Sequence, residues 1–127
     1  MLIYPAIFTK ENDGYFVRFP DLEGCLTEGD SMKNAIHMAE EALGGYLASL
    51  YERNLIIPEP SEIATIKVDS ENECVVIIYS NVDKYFSKTK AVKKTLSIPA
   101  WLNELADSQH LNFSAILQEA LRQHLDL

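Results

Sequence analysis

The chain is poor in the residues that build metal and redox sites. Its 127 residues include two cysteines, Cys25 and Cys74, far apart and outside any CxxC pair. Its three histidines, His37, His110 and His124, are scattered. Structural and catalytic zinc sites need such ligands clustered at short spacings, so neither a metal nor a cofactor is expected, and both thiols read as reduced and buried. A glycine-rich phosphate loop and a Ser-His-Asp spacing are also missing, which leaves no catalytic residue to nominate. No apolar run approaches the ~20 residues of a membrane span. Met1-Leu2-Ile3-Tyr4-Pro5 lacks the basic and apolar regions of a signal peptide, so the expected compartment is the cytoplasm. Internal repeats and low-complexity tracts are absent.

What is present is enough for a core. Hydrophobic residues make up 47% and charged residues 24% of the chain, the balance of an ordinary globular protein. The net charge of −8 speaks against nucleic acid when read whole. Its distribution says otherwise. Residues 1–82 hold 5 Lys/Arg against 14 Asp/Glu, and residues 83–127 hold 6 against 5. The second part opens with Lys84, Lys88, Lys90, Lys93 and Lys94. An acidic body thus carries a tail with a basic front edge.

Periodicity predicts the elements. Leu2 to Thr9 is a β run in which Pro5 asks for an edge or a bulge, because proline cannot donate to a ladder. Asp13-Gly14 supplies a hairpin turn, Tyr15 to Phe19 alternates, and Cys25 to Glu28 makes a short third strand. Ser31 then caps a helix whose apolar stripe runs through positions 32, 35, 36, 39, 42, 43, 46, 47 and 50. Gly44-Gly45 within it implies close packing on the sheet. Ile63 to Val68 and Val75 to Tyr79 read as two further strands. The expected architecture is α+β, with order β-β-β-α-β(-β) over residues 1–82, a lysine-rich linker at 83–90, and a β-α-α unit at 91–127.

That last unit has too few residues to fold alone, since units below ~40 residues usually need oligomerisation or staples. Pairing two copies of the strand Ala91 to Ile98 supplies a ribbon over a shared four-helix core. Leu96 and Ile98 then point inward, and Lys93, Thr95 and Ser97 outward. A two-stranded ribbon fits the major groove, where Lys, Thr and Ser can meet base edges. Pro99 sits at the first position of one helix and Asn112 caps the next, where Phe113 and Ser114 offer free backbone N–H groups to a phosphate. Trp101 reads as core.

The stretch Lys93-Lys94-Thr95-Leu96-Ser97-Ile98-Pro99, Leu102-x-x-Leu105-Ala106 and Asn112-Phe113-Ser114-Ala115-Ile116-Leu117-x-x-Ala120-Leu121 resembles the ribbon-helix-helix repressors. The resemblance implies Lys93, Thr95 and Ser97 as base-contacting residues. Lys84, Lys88, Lys90, Lys94, Asn112, Phe113 and Ser114 are the expected phosphate contacts. Two departures stand out: His110 where relatives often have glycine, and Phe113 where they often have a basic residue.

Tyr4-Pro5-Ala6, Asp13-Gly14-Tyr15, Phe19-Pro20-Asp21-Leu22-x-Gly24-Cys25, Gly29-Asp30-Ser31 and Ala35 through Ala42 resemble a HicB-type antitoxin over nearly the whole chain. Glu23 departs from it, standing where a proline is usual. The resemblance implies a partial ribonuclease-H-like fold for residues 1–82. It further implies a HicA-type toxin (a small basic ribonuclease) as partner, double-stranded operator DNA as the second partner, and a C-terminal homodimer. Asp21, Glu23, Glu28, Asp30, Glu40 and Glu41 are the candidate toxin contacts, since an acidic surface attracts a basic one. Two other readings compete. One is a ribbon-helix-helix regulator with a small-ligand-sensing N-terminal domain. The other is a degenerate nuclease using Asp13, Asp21, Glu23 and Asp30.

Overall fold

The computed structural model describes residues 2–127. The chain divides into two compact units, one ending at Ser87 and the other spanning Lys88–Leu127.

The first unit is an antiparallel sheet with one long helix across it. Strands β1 (Leu2–Glu11), β2 (Gly14–Arg18), β3 (Leu26–Gly29) and β4 (Glu73–Ser80) lie in the order β3-β2-β1-β4. The hairpin register runs from Ile7 opposite Arg18 to Glu11 opposite Gly14. Gly14 is fixed by space as well as by its φ of 150°, because a Cβ there would lie 2.1 Å from the Gly29 carbonyl oxygen. Pro5 sits in a strand with neighbours on both sides, against the edge expectation. The β1–β2 register starts only at Ile7, so at Pro5 the strand has β4 alone beside it. It is an edge locally, and the missing N–H is tolerated there.

Helix α1 (Met32–Glu52) begins as the sequence predicts. The Ser31 hydroxyl accepts from the Asn34 amide, and the Asn34 side-chain oxygen accepts from the Asp30 amide, a pair of bonds like a capping box that satisfies one orphan donor of the helix and the amide just before the cap. Ala35, Ala39, Leu43 and Leu47 are fully buried, against a sheet face that buries Tyr4, Ala6, Phe8, Val17 and Ile78. Gly44 carries the expected close packing: a Cβ there would lie 2.2 Å from the Tyr85 ring and 2.5 Å from the Ser80 hydroxyl. Gly45 does not, and faces open space.

Ile63 to Val68, predicted as a strand, is not one. Ile63–Thr65 forms a 3₁₀ turn, and the Thr65 hydroxyl bonds the Glu62 carbonyl. That local bond competes with a ladder. Cys74 is exposed rather than buried, while Cys25 is buried. The sequence closes the first domain at residue 82, but a 3₁₀ turn, Val82–Tyr85, packs on α1. Val82 is buried and the Phe86 ring meets Tyr51 edge-on. The compact unit therefore extends to Ser87.

The second unit holds α2 (Ala100–Ser108) and α3 (Phe113–His124). Pro99 caps α2 rather than opening it, its carbonyl accepting from Leu102 and Asn103. Asn112 caps α3 through a 3.0 Å bond from the Ala115 amide. Between them His110 adopts φ 54°, the left-handed conformation that glycine takes at least cost. Ala91 to Ile98, expected as a strand, has no regular secondary structure and pairs with no strand of its own chain.

Candidate interaction surfaces

The six carboxylates expected to contact a toxin lie in several different settings. Glu28 and Asp30 share an open cleft of about 820 Å³ with Glu11 and Asp13, at the end of the sheet where the hairpin turn meets β3. Glu11 and Asp13 are not toxin contacts expected from the sequence. The signal that finds them is register: pairing Tyr15 with Gly29 brings residues 11–14 against residues 28–30. Asp21 is committed elsewhere, accepting from both the amide and the hydroxyl of Ser61. It ties the Pro20–Gly24 loop to the loop that follows α1. Glu23 is exposed, and its carbonyl accepts from the Tyr46 hydroxyl at 2.9 Å. Glu41 lies on the outer side of α1, 3.3 Å from His37, while the neighbouring Glu40 carbonyl holds the Ser80 hydroxyl. The six candidates thus do not form one patch. Among the described residues no group of His, Cys, Asp or Glu is gathered in a way that could hold a metal.

On the sheet face away from α1, Glu73 joins three strands. Its carboxylate accepts from the Arg18 guanidinium at 2.7 Å, from the Asp69 amide at 3.0 Å and from the Thr9 hydroxyl at 2.9 Å. The bond from Arg18 is the leading cause, ahead of the Asp69 amide, that pulls its pKa down to about 2. A carboxylate with a depressed folded pKa contributes stability above its unfolded value near 4.5, and loses it as pH falls through the folded one. Glu73→Gln is therefore expected to lower stability at neutral pH and to flatten the acid limb of the stability curve between about pH 4.5 and 2, read by urea melts across that range and at about pH 7. Elsewhere burial sets the chemistry. It raises the Cys25 thiol to about 11, and the thiol faces the Ala42 carbonyl, so Cys25 is a core thiol rather than a nucleophile. Burial also pushes Tyr4 up to about 12, with its hydroxyl donating to the Pro58 carbonyl.

The second unit contains no buried side chain. Trp101, expected in a core, is 63% exposed in the single chain, and Leu105, Ile116 and Leu121 are each exposed by half or more. An apolar groove of about 950 Å³ runs between the segment before α2 and α3. From the segment it takes Val92, Lys94, Leu96 and Ile98, and from α3 Phe113, Ile116, Leu117 and Leu121. Lys93, Thr95 and Ser97 are exposed and do not line it. The alternation read from the sequence is thus present in the folded chain. Lys84 stands apart from the other lysines, in the 3₁₀ turn of the first unit.

These features define a class: a two-unit α+β protein with a carboxylate-lined cleft in one unit and an open apolar face in the other. The sequence pattern of the HicB-like antitoxin of bacterial toxin–antitoxin systems matches residues 4–121, and the chain belongs to that family. It is 30% identical over 101 residues to an uncharacterised 14.9 kDa protein of Haemophilus phage HP1, covering 80% of this chain and 76% of that one. It is 41% identical over 67 residues to Antitoxin HicB 1 of Photorhabdus laumondii, a match that spans 52% of this chain and 43% of that antitoxin. Among solved structures it resembles a toxin–antitoxin complex from Streptococcus pneumoniae, with 29% identity, a TM-score of 0.65 and 97% and 98% of the two chains covered. The Burkholderia pseudomallei antitoxin HicB shares the fold at a TM-score of 0.60 and 22% identity, with 98% and 99% covered. Among the described residues no helix is long and apolar enough to cross a membrane.

Proposed function

We propose that this chain is an antitoxin that works by binding. Its first unit, with a partial ribonuclease-H-like fold, occludes a HicA-type ribonuclease toxin. Its second unit dimerises as a ribbon-helix-helix and reads operator DNA. The observation that carries the second part is the bare apolar groove. A unit with no buried side chain cannot balance the conformational entropy of folding, and a second copy can fill the groove with the same surface. The first part rests on family membership, on the similarity to the Streptococcus pneumoniae toxin–antitoxin complex, and on the excess of 14 acidic over 5 basic residues in positions 1–82. A basic RNA-binding face is drawn to such a surface. The cleft around Glu28 and Asp30 is the favoured landing site, because no Lys or Arg lines it beside its carboxylates.

Co-expression with a HicA-type toxin tests the first part. The native chain should restore growth and co-purify with the toxin. Glu28→Lys combined with Asp30→Lys should slow capture most strongly at low salt, and an unchanged association rate would move the toxin-binding surface elsewhere.

In the second unit, Lys93, Thr95 and Ser97 are the base-facing set. Lys88, Lys90, Lys94 and the α3 N-terminus at Asn112, Phe113 and Ser114 serve the phosphates, with Lys84 a further phosphate contact. Thr95→Ala is expected to cost about 1–3 kcal/mol on the operator and little on random DNA. Lys88→Ala should weaken both alike and reduce the salt slope by about 0.9 for each phosphate that the lysine neutralises. Gel-shift titrations at several salt concentrations separate the two outcomes.

A further inference from the structure

The two edges of the sheet are built differently. The β3 edge is four residues long, carries Glu28 and leads into Asp30 beside the acidic cleft. Short strands and edge charges are how sheets prevent unwanted pairing. The β4 edge has neither device. It runs for eight residues, and Val75-Val76-Ile77-Ile78-Tyr79 is an unbroken apolar run without Lys, Pro or Gly. Its register with β1 is continuous from Leu2 opposite Ser80 to Thr9 opposite Glu73, so no bulge turns the edge away. Among the described residues, no backbone hydrogen bond joins Cys74–Ser80 to any segment other than β1. The one charge on the strand, Glu73, is neutralised by Arg18. On the outer face Ile77 and Tyr79 are 42% and 52% exposed, next to Ile3 at 52%.

We propose that β4 pairs antiparallel with β4 of a second copy of this chain, joining two four-stranded sheets into one of eight strands about a two-fold axis at Ile77. A neutral apolar edge suits an equal edge better than it suits a basic partner, whose charge is drawn to the cleft at the opposite end of the strand order. A two-fold axis normal to the sheet keeps each face continuous, so a residue must pair with one on its own face. Centring on Ile77 sets Val75 opposite Tyr79 and Val76 opposite Ile78, β-branched and aromatic pairs of the kind that stabilise sheets. It also leaves Glu73, bound by Arg18, outside the apolar run. The inference does not depend on the DNA-binding reading, since every residue it uses lies in the first unit.

The test is oxidative cross-linking of the full chain carrying Ile77→Cys and Cys74→Ser. Both positions are exposed, so the fold is preserved. Residues directly opposite in an antiparallel pair have Cβ atoms about 4.5–5.5 Å apart, close to disulfide geometry. The majority of this variant should shift from 14.3 kDa to a covalent dimer on a non-reducing gel. The native chain is the collisional control, because its exposed Cys74 would lie opposite Ser80 and six residues out of register with its own copy. Hydrogen exchange of the native chain adds a second readout: every β4 amide should be protected, not every other one. Cross-linking no greater than the Cys74 control, with alternate β4 amides exchanging freely, overturns the proposal. So does protection that arises only when toxin is added, which would assign the edge to a strand of the toxin.

Discussion

Ile116→Asp is expected to abolish operator binding while leaving toxin capture intact. Ile116 lines the groove of the second unit with Leu96, Ile98 and Leu121 and is half exposed in the single chain. Closing the groove with a second copy would bury two aspartates in an apolar core, one from each chain. An unpaired buried carboxylate costs several kcal/mol, and the two-fold doubles that cost. A small unit marginal to begin with would not dimerise, and both the ribbon and its base-facing residues would be lost together. The loss in operator affinity should exceed about 100-fold, a change of roughly 2.7 kcal/mol. Capture of the toxin should persist, because the first unit has its own buried core around Phe8, Leu43 and Ile78. Gln123→Ala, an exposed change on the same helix outside the groove, should keep operator binding within a few-fold. Full operator affinity in the Ile116→Asp chain would sink the shared-core reading.

Gly44→Ala and Gly45→Ala should move stability in opposite directions. In an exposed helix interior alanine is favoured over glycine by about 1 kcal/mol. Gly45 faces open space, so Gly45→Ala should stabilise by about that amount. At Gly44 the added methyl would lie 2.2 Å from the Tyr85 ring and 2.5 Å from the Ser80 hydroxyl. Both neighbours are anchored: Ser80 ends the β4 ladder and bonds the Glu40 carbonyl, and Tyr85 belongs to the turn that packs on α1. Overpacking of this kind costs about 1–3 kcal/mol, enough to outweigh the helix gain. Chemical denaturation of the two variants should therefore place their midpoints on either side of the native one. Two stabilised variants would mean that the 82–86 turn moves aside freely.

Much of this was legible before folding. The spacing of apolar residues gave α1 and α3, because a buried helical stripe leaves a 3.6-residue period in any context. Ser31 and Asn112 marked the helix starts, because a cap is a local bond between a side chain and an amide three residues on. The alternation that places Leu96 and Ile98 on one side and Thr95 and Ser97 on the other is local in the same way. The strand at 63–68 failed because alternation states what a segment could bury and says nothing about whether the segment is carried to a sheet edge. Cys74 read as buried for the same reason: a β run does not reveal whether it is central or at an edge.

The sequence by itself determined the family, the acidic body with a basic-edged tail, the order of the main elements and the caps that start its helices. These follow from composition and from interactions a few residues long. Only the tertiary structure decided which carboxylates meet in a cleft, since Glu11 and Asp13 reach Glu28 and Asp30 through strand register. It separated Gly44 from Gly45, because the packing that matters comes from residues 80 and 85. It left β4 as an open edge and the second unit without a buried side chain. Each of these depends on how distant parts of the chain meet or fail to meet, and no local pattern encodes that.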